Sequence, residues 1–568
     1  MDASDDQSVP VMVSKKFWGI MAISALHSSF LAPSAESAEA PAASAAPPAA
    51  AAPSATAAPP ALKAFPVLEY RVEGNSLMRT IDIERAVTPY LGEGKTIKDI
   101  EAARQSLEKL YHDHGYQTVL VNIPQQEVSA GIVRLKVIEA PVGQVQIKGS
   151  RYHSLQVINA TVPQLKGGVV PNFGEVQREL AQVNHTEDLH VTPVLRASTT
   201  PGQVDVDLDV QDQLPLHASL EADNRYSANT AQLRMIGEVS YDNLFQRNQS
   251  MSVQYQVAPE HPDEAEIWSV SYVIPTQSGL VWALYAVRSN SNIAAVGDLD
   301  VIGNGSIYGV RLIEPLPSPS ADFYHNFTAG LDYKDFKQDV TLQGSDDVAS
   351  PAKYPPFTLQ YTATWLGHAD AAYHAAATTA ARSSTTLDLG TSFLVRGLGT
   401  DAEQFSVKRY GAGPSYFILH PSLQRQQILP WSWSLVGKID GQLASGPLIS
   451  NEQYGAGGVD SVRGYTESER LGDDGMRGSV ELRTPQLLNG RARITQSYWY
   501  LFADGARVKI IDPLPGQRTG YDLGSEGLGF RFKIGGLATD LDGARAATAG
   551  YVTRAGSYSA QFRVNYAW

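Results

Sequence analysis

The chain reads as a multidomain protein, two small α+β units followed by a 16-stranded antiparallel transmembrane β-barrel. Three observations predict this. From Leu216 to Trp568 the helical spacing of apolar residues disappears and period-two alternation replaces it. Beyond the N-terminal stretch no apolar run reaches the ~20 residues that a spanning helix needs. A membrane form must therefore be a closed barrel, because open sheet edges cannot face lipid. Between residues 66 and 213 the order strand, helix, helix, strand, strand occurs twice, an internal repeat of architecture.

Composition sets the outer limits. A chain of 568 residues exceeds one compact core, so several domains are expected. Its formal net charge of −14 argues against nucleic acid as a partner. It has no cysteine, which excludes disulfides, thiolate metal sites and cysteine nucleophiles and suits passage through an oxidising compartment. Tyr, at 26, outnumbers Phe at 16 and Trp at 8. Aromatic girdles account for such an excess, and a large soluble β protein accounts for it equally.

Lys15 and Lys16 precede an apolar stretch from Phe17 to Leu26, followed by small residues to Ala40. This reads as a signal peptide within residues 1–40, whose apolar region runs about 7–15 residues. Asp2, Asp5 and Asp6 are acidic where such a leader is basic. Residues 41–65 are almost all Ala, Pro and Ser and predict an extended, semi-rigid linker.

The first unit, residues 66–141, opens with an alternating strand over 68–72 that Gly74 and Asn75 break. Ile81, Ile83, Val87 and Leu91, then Ile100, Ala103, Leu107, Leu110 and Tyr111, predict helices over 80–91 and 97–114. Gly115 ends the second helix. Strands follow over 118–123 and 132–138. In the second unit, residues 142–213, the same order predicts a strand over 142–147 closed by Gly149. Helices over 155–165 and 173–183 follow, then strands over 191–196 and 204–210.

The span 216–568 holds sixteen predicted strands, an even number as bacterial barrels require. The later ones fall near 384–397, 405–418, 430–444, 476–484, 495–508, 525–535, 546–554 and 557–568. Trp268, Val270, Tyr272 and Ile274 face one way with Ser269 and Ser271 between them, and Leu528, Phe530, Phe532 and Ile534 alternate with Gly529, Arg531 and Lys533. The last strand sets Tyr558, Ala560, Phe562, Val564, Tyr566 and Trp568 against Ser559, Gln561, Arg563 and Asn565.

The stretch 454–485 is the most specific. Gly455, Gly457 and Gly458 precede Val462-Arg463-Gly464-Tyr465, and the alternating run Val480-Glu481-Leu482-Arg483 closes it. Glycine admits backbone conformations and close approaches that other residues do not, so the loop is expected to fold on itself with Arg463 at its tip. It resembles the sixth surface loop of the two-partner secretion transporters, of the hemolysin secretion/activation type within the superfamily that joins polypeptide-transport-associated (POTRA) domains to a β-barrel. The resemblance implies that the loop folds back into the barrel and that Arg463 meets an aspartate on the barrel wall. Phe502-Ala503-Asp504 resembles the family's strand-thirteen motif, in which a glycine follows; here Gly505 comes one place early and Ala506 stands in the expected position. Period two puts Phe502 and Asp504 on one face, and charge on the lipid side is costly, so Asp504 is expected to face the lumen. A loop acid such as Glu467 or Asp473 is the alternative partner for Arg463.

Residues 131–139 resemble the last strand of the family's first POTRA domain, and the two α+β units share the POTRA order. The family often carries a plug helix before that domain, but residues 38–64 show no amphipathic period. Phe562, Tyr566 and Trp568 resemble the terminal signal read by the barrel-assembly machinery, which more often meets Phe at the last position. The resemblance implies a secreted exoprotein partner of adhesin, haemolysin or toxin type, captured unfolded in the periplasm, with outer-membrane lipid around the barrel. It implies no cofactor. The alternatives are an outer-membrane insertase of the same superfamily, a passive porin and a soluble β enzyme.

No catalytic constellation is present. Gly92-Glu93-Gly94-Lys95-Thr96 lacks the first glycine of a phosphate loop, since that position is Pro89. His112-Asp113-His114 lies at a polar helix end and reads as solvated rather than metal-binding. Met12 opens a short basic leader free of the three aspartates, so translation from Met12 is expected to suffice for export. Absence of a Met12-start protein from the outer membrane, with the full-length form present there, would reject this.

Overall fold

The computed structural model describes residues 64–568 apart from 129–130, 185–187, 229, 277, 292–293, 297–298, 302–303, 321, 341–347, 368–381, 399–400 and 489–492. The expected signal peptide, the Met12 start and nearly all of the linker lie outside the described residues. One compact unit ends at Pro215 and a second begins at Leu216.

In the first unit, the strand Ile132–Glu139 runs through the centre of a three-stranded sheet. It is parallel to Glu69–Glu73 and antiparallel to Val119–Asn122. Helices Thr80–Val87 and Ile97–Asp113 supply Ile83, Val87, Leu107 and Tyr111 to a core completed by Val119, Val121, Leu135 and Val137. The periods 3.6 and 2 thus meet on one buried face. The second sheet repeats the plan, with Val204–Asp212 parallel to Val142–Lys148 and antiparallel to Leu189–Ala197. The apolar run over 155–165 is split by Pro163 into a helix, Leu155–Thr161, and a 3₁₀ turn, Pro163–Leu165.

The repeat extends to single groups. Gly74 and Gly149 both have positive φ, and a Cβ on either would strike the carbonyl oxygen of the central strand, Val137 or Val210. A carboxylate at the end of each central strand then satisfies the turn that follows the glycine. Glu139 accepts from the Ser76 and Leu77 N–H groups at 2.8 and 3.0 Å. Asp212 accepts from the Arg151, Tyr152 and His153 N–H groups and bonds the His153 ring at 2.7 Å. Burial works to raise the Asp212 carboxyl, but the His153 ring and these N–H donors outweigh it and hold it below the usual carboxylate range. The two repeats are joined by backbone: the Phe173 N–H donates to the Gly115 carbonyl at 2.8 Å and Asn172 Nδ2 to the His114 carbonyl at 2.9 Å.

The second unit is a closed antiparallel barrel of sixteen strands. They are β1 Leu216–Asp223, β2 Arg234–Leu244, β3 Gln249–Val257, β4 Glu266–Pro275, β5 Val281–Ser289, β6 Gly305–Pro315 and β7 Phe323–Val340. Strand β8 is in two pieces, Val348–Tyr354 and Phe357–Gly367, parted by Pro355 and Pro356, and both pieces pair with the long β7. The rest are β9 Ser383–Leu394, β10 Tyr416–Ile428, β11 Ser434–Ala444, β12 Asp474–Arg483, β13 Ile494–Lys509, β14 Gly520–Ile534, β15 Leu537–Ala546 and β16 Tyr558–Ala567. Trp268, Leu528, Tyr566 and Trp568 are exposed on the outer face, Trp568 at 64 %.

Two predicted strands are corrected. The span 405–418 is a helix, Ala402–Lys408, capped by Asp401, followed by a turn, and β10 starts at Tyr416. The Ser-Leu-Gln-Arg-Gln-Gln run of β10 is too polar to read as a strand, and Pro421 cannot donate to the ladder. The span 546–554 is mostly loop, and β15 lies earlier, at Leu537–Ala546. Its Asp540, Asp542 and Gly543 are turn formers by composition, yet in the barrel the two aspartates face inward.

The barrel closes between β16 and β1 over a short ladder, Arg563↔Asp223 to Ala567↔Ser219. Beyond it Asn224 continues the seam with its side chain. Its Nδ2 donates to the Ala560 carbonyl at 2.9 Å and its Oδ1 accepts from the Phe562 N–H at 2.8 Å. One side-chain amide thus does the work of a backbone pair. Asn224→Ala removes both bonds, each with a net value of ~0.5–1.5 kcal/mol. It should lower the temperature at which the folded barrel loses its fast gel mobility. An unchanged transition temperature would show that the seam does not depend on this side chain.

Candidate functional site

The loop between β11 and β12 runs back into the barrel. It forms a small hairpin, Tyr454–Ala456 with Arg470–Gly472, so its two arms travel together. Gly457 and Gly458, at φ +112° and +106°, turn the first arm inward. At the tip Gly464, at φ +95°, passes so close to β15 that an added Cβ would lie 3.0 Å from the Ala544 methyl.

The four tip residues have separate contacts. Val462 is wholly buried with Ala456, Tyr465, Ala506, Val508, Leu523 and Ala546. The Tyr465 hydroxyl lies 2.9 and 2.7 Å from the Gly524 and Thr548 carbonyls. The Gly464 N–H donates to Gln561 Oε1 at 3.3 Å. Arg463, only 4 % exposed, forms a fork on Asp504: Nε and Nη2 each donate at 2.8 Å, and its backbone N–H adds a third bond at 3.1 Å. Nη1 donates to Glu481 Oε1 at 2.8 Å and Nη2 also reaches Ser479 Oγ at 3.1 Å. The guanidinium carbon sits 3.6 Å from the centre of the Phe502 ring, a cation–π contact.

Strand period and register assemble this site. Phe502 and Asp504 share the inner face of β13, and Ser479 and Glu481 that of β12, with Ser479 opposite Asp504 and Glu481 opposite Phe502. Ala506, where the family motif has its glycine, sits inside against Val462. Gly505 faces outward. Around Arg463 lie further charges. Arg483 Nη2 meets Glu481 at 2.6 Å, Arg531 lies 3.6 Å from Glu481 and 3.7 Å from Asp540, and Arg563 meets Asp540 at 2.6 Å. Asp542 accepts from Tyr500 and lies 3.9 Å from Arg463. A cavity of about 330 Å³ remains beside the loop.

The alternative partners are engaged elsewhere. Glu467 lies 3.4 Å from Arg225, in the β1–β2 loop, and Asp473 pairs with Arg409. Glu481, Ser479, Asp542 and Arg531 also belong to the site, and no family motif in the sequence marks them. The signal for Glu481 was present, since it and Arg483 alternate with Val480 and Leu482, and charge on that face must point inward. Phe562 and Tyr566 lie on β16 and Trp568 just beyond it; Phe562 borders the cavity, and the Tyr566 and Trp568 ring centres are 5.8 Å apart.

Comparison with known proteins matches this architecture. The family described as "POTRA domain, ShlB-type" matches residues 65–140. The family "Haemolysin secretion/activation protein ShlB/FhaC/HecB" matches residues 202–312 and 375–532. The chain belongs to the haemolysin secretion/activation family. Among curated relatives, the outer membrane transporter CdiB of Dickeya dadantii is 22 % identical over 177 residues, 31 % of this chain and 31 % of that protein. The heme/hemopexin transporter protein HuxB of Haemophilus influenzae is 20 % identical over 474 residues, 81 % and 80 % of the two chains. Of solved structures, CdiB from Escherichia coli superposes with a TM-score of 0.64 at 17 % identity, covering 91 % of this chain and 93 % of that one. BamA from Haemophilus ducreyi gives 0.51 at 12 %, covering 89 % and 100 %; at these identities the likeness is one of fold. As in its family, the barrel lies in the outer membrane and the POTRA domains in the periplasm.

An exposed ion pair contributes about 0–1 kcal/mol, and removing one partner of a buried pair costs roughly 3–5 kcal/mol. A wet lumen would have placed Arg463 between these limits. Its burial puts it in the second class. Arg463→Ala strands Asp504, while Glu481 keeps Arg483; Asp504→Ala leaves Arg463 with Glu481. Arg463→Ala should therefore loosen the loop more than Asp504→Ala, with the barrel still closed. The double variant should fall well short of the sum, because both changes remove one interaction. Protease protection of the loop at matched barrel levels measures this, and fully additive effects would mean that the two residues act separately.

Proposed function

We propose that this protein exports one unfolded partner protein from the periplasm across the outer membrane in two-partner secretion. The observation that carries the reading is a barrel lumen closed by its own loop, held on a buried ionic contact, in a chain that also bears two periplasmic POTRA repeats. A passive pore has no use for either device. The cargo is an exoprotein of the adhesin, haemolysin or toxin type, and folding of that cargo outside is the driving force, since no nucleotide energy is available there. Among the described residues each three-stranded POTRA sheet has outer strands paired on one side only, and an extended segment can be taken up at such an edge by strand addition. Loop 445–473 gates the lumen, with Val462, Arg463, Gly464 and Tyr465 as its tip and Phe502 and Asp504 as its seat. Phe562, Tyr566 and Trp568 present the outward aromatic end that the assembly machinery reads during insertion into lipid.

An insertase of the same superfamily is the second reading, and the fold likeness to BamA favours it. It is the weaker one, because such proteins usually carry more than two POTRA domains. Deleting residues 66–213 tests periplasmic capture against a passive porin. The barrel should still reach the outer membrane and secretion of the partner exoprotein should stop. Normal secretion by the deletion variant would refute periplasmic capture.

A further inference from the structure

The outer mouth of the barrel carries a second closure, separate from the Arg463 seat. The β9–β10 loop folds its helix, Ala402–Lys408, toward the wall. Phe405 is buried there with its ring 5.3 Å from that of Tyr354 on β8. It belongs to one apolar cluster that includes Phe336, Leu394 and Tyr416 of the wall and Leu448 and Ile449 of the β11–β12 loop. One residue after the helix, Arg409 leaves this cluster and binds Asp473, where the β11–β12 loop rejoins the wall.

Asp473 has no exposed surface, and three loops converge on it. Arg409 of the β9–β10 loop donates to both carboxylate oxygens, one bond measuring 2.6 Å. The Leu448 N–H, at the start of the β11–β12 loop, donates at 2.9 Å, and the Ile511 N–H of the β13–β14 loop at 2.7 Å. Arg409 also donates to the Leu448 and Ile511 carbonyls at 2.6 and 3.0 Å. Gln453 of the β11–β12 loop adds a bond to Asp473 at 3.2 Å, so these side-chain bonds of the ion pair all go to loop residues. The Asp473 backbone is tied to the wall, its N–H donating to the Lys509 carbonyl at 2.8 Å and its carbonyl accepting from Gln442 at 2.9 Å. Bidentate arginine–carboxylate geometry adds directional specificity to charge.

We infer that Arg409 and Asp473 form an outer lock that positions the β9–β10 and β11–β12 loops together over the mouth, with Phe405 as the stopper. The mouth opens when this lock parts. The inference rests on the reading of the barrel as an export conduit, but its test needs no partner protein, so the two can fail independently. Single-channel conductance in planar bilayers reads the mouth directly. Arg409→Ala and, separately, Phe405→Ala should each raise the fraction of time spent in the conducting state several-fold, with full-length barrel inserted at normal amounts.

A rescue distinguishes a lock from general loosening. A Cβ built on Gly411 lies 3.9 Å from the Pro447 Cβ, within the span of a disulfide, and the chain has no other cysteine. Gly411→Cys with Pro447→Cys in the Arg409→Ala background should return conductance to the closed level when oxidised and release it on reduction. Unaltered conductance in both Arg409→Ala and Phe405→Ala would overturn the proposal. So would a disulfide that forms without closing the Arg409→Ala channel. If Arg409→Ala does not accumulate, the cysteine pair in the parent chain decides: oxidised channels should open more rarely than reduced ones, and equal opening rates would overturn it.

Discussion

A guanidinium taken out of water is the constraint on which the seated loop depends. Arg463 is placed in the lumen by a loop that contributes little apolar surface at its tip beyond Val462 and Tyr465. An unpaired cation there would be prohibitive, so the wall must answer it. It does so with Asp504, Glu481 and the more distant Asp542. Those acids in turn need cations once the loop fills the space, and Arg483, Arg531 and Arg563 supply them. With Asp540 the cluster holds four arginines and four carboxylates. Its charge is closed only when the loop is seated.

The wall can present this cluster because a barrel strand repeats every two residues and its register fixes height. The aromatic rings that floor the site need space that side chains on the next strand would take. Gly527 and Gly529 on β14 provide it, since a Cβ at either would strike the Phe502 or the Tyr500 ring. The same device recurs across the barrel. Gly309 on β6 makes room for Tyr285, which donates to Asp332 at 2.6 Å, while Arg311 bonds that carboxylate. Ring over glycine beside an arginine–aspartate pair is therefore a general way for this wall to be flat, polar and full.

Much of this was legible in the sequence. The POTRA units carry strong local signals, with helical spacing from Ile100 to Tyr111 and glycines where the backbone must turn. The tip motif and the Phe502–Asp504 pair were legible because family pattern and strand period agree on them. What was hidden follows one rule. Where strand residues face a charged lumen, composition imitates a loop. Strand β15, with Asp540, Asp542 and Gly543, was displaced for that reason, and β10 because of its glutamines and Pro421. The helix at Ala402–Lys408 shows no helical period in the sequence, because its burial rests on Phe405 alone. Glu481 went unassigned because its role depends on a register between β12 and β13 that no single strand declares.

The physical character of the Arg463 contact also fits a gate better than an apolar plug would. An apolar contact keeps its strength when water arrives beside it, because its strength comes from excluding that water. A buried ion pair does not. Removing a partner from a dry pair costs roughly 3–5 kcal/mol, whereas the same pair in contact with solvent contributes about 0–1 kcal/mol. The seat is therefore strong only while the loop keeps the lumen dry. The cavity beside it, lined by Arg225, Asp460, Arg531 and Asp540, is polar and is where water or a hydrated chain segment would first gather. Hydration there lowers the cost of parting Arg463 from Asp504, and each increment of opening admits more water. Under the proposed gating role, a seat of this kind releases and closes cooperatively.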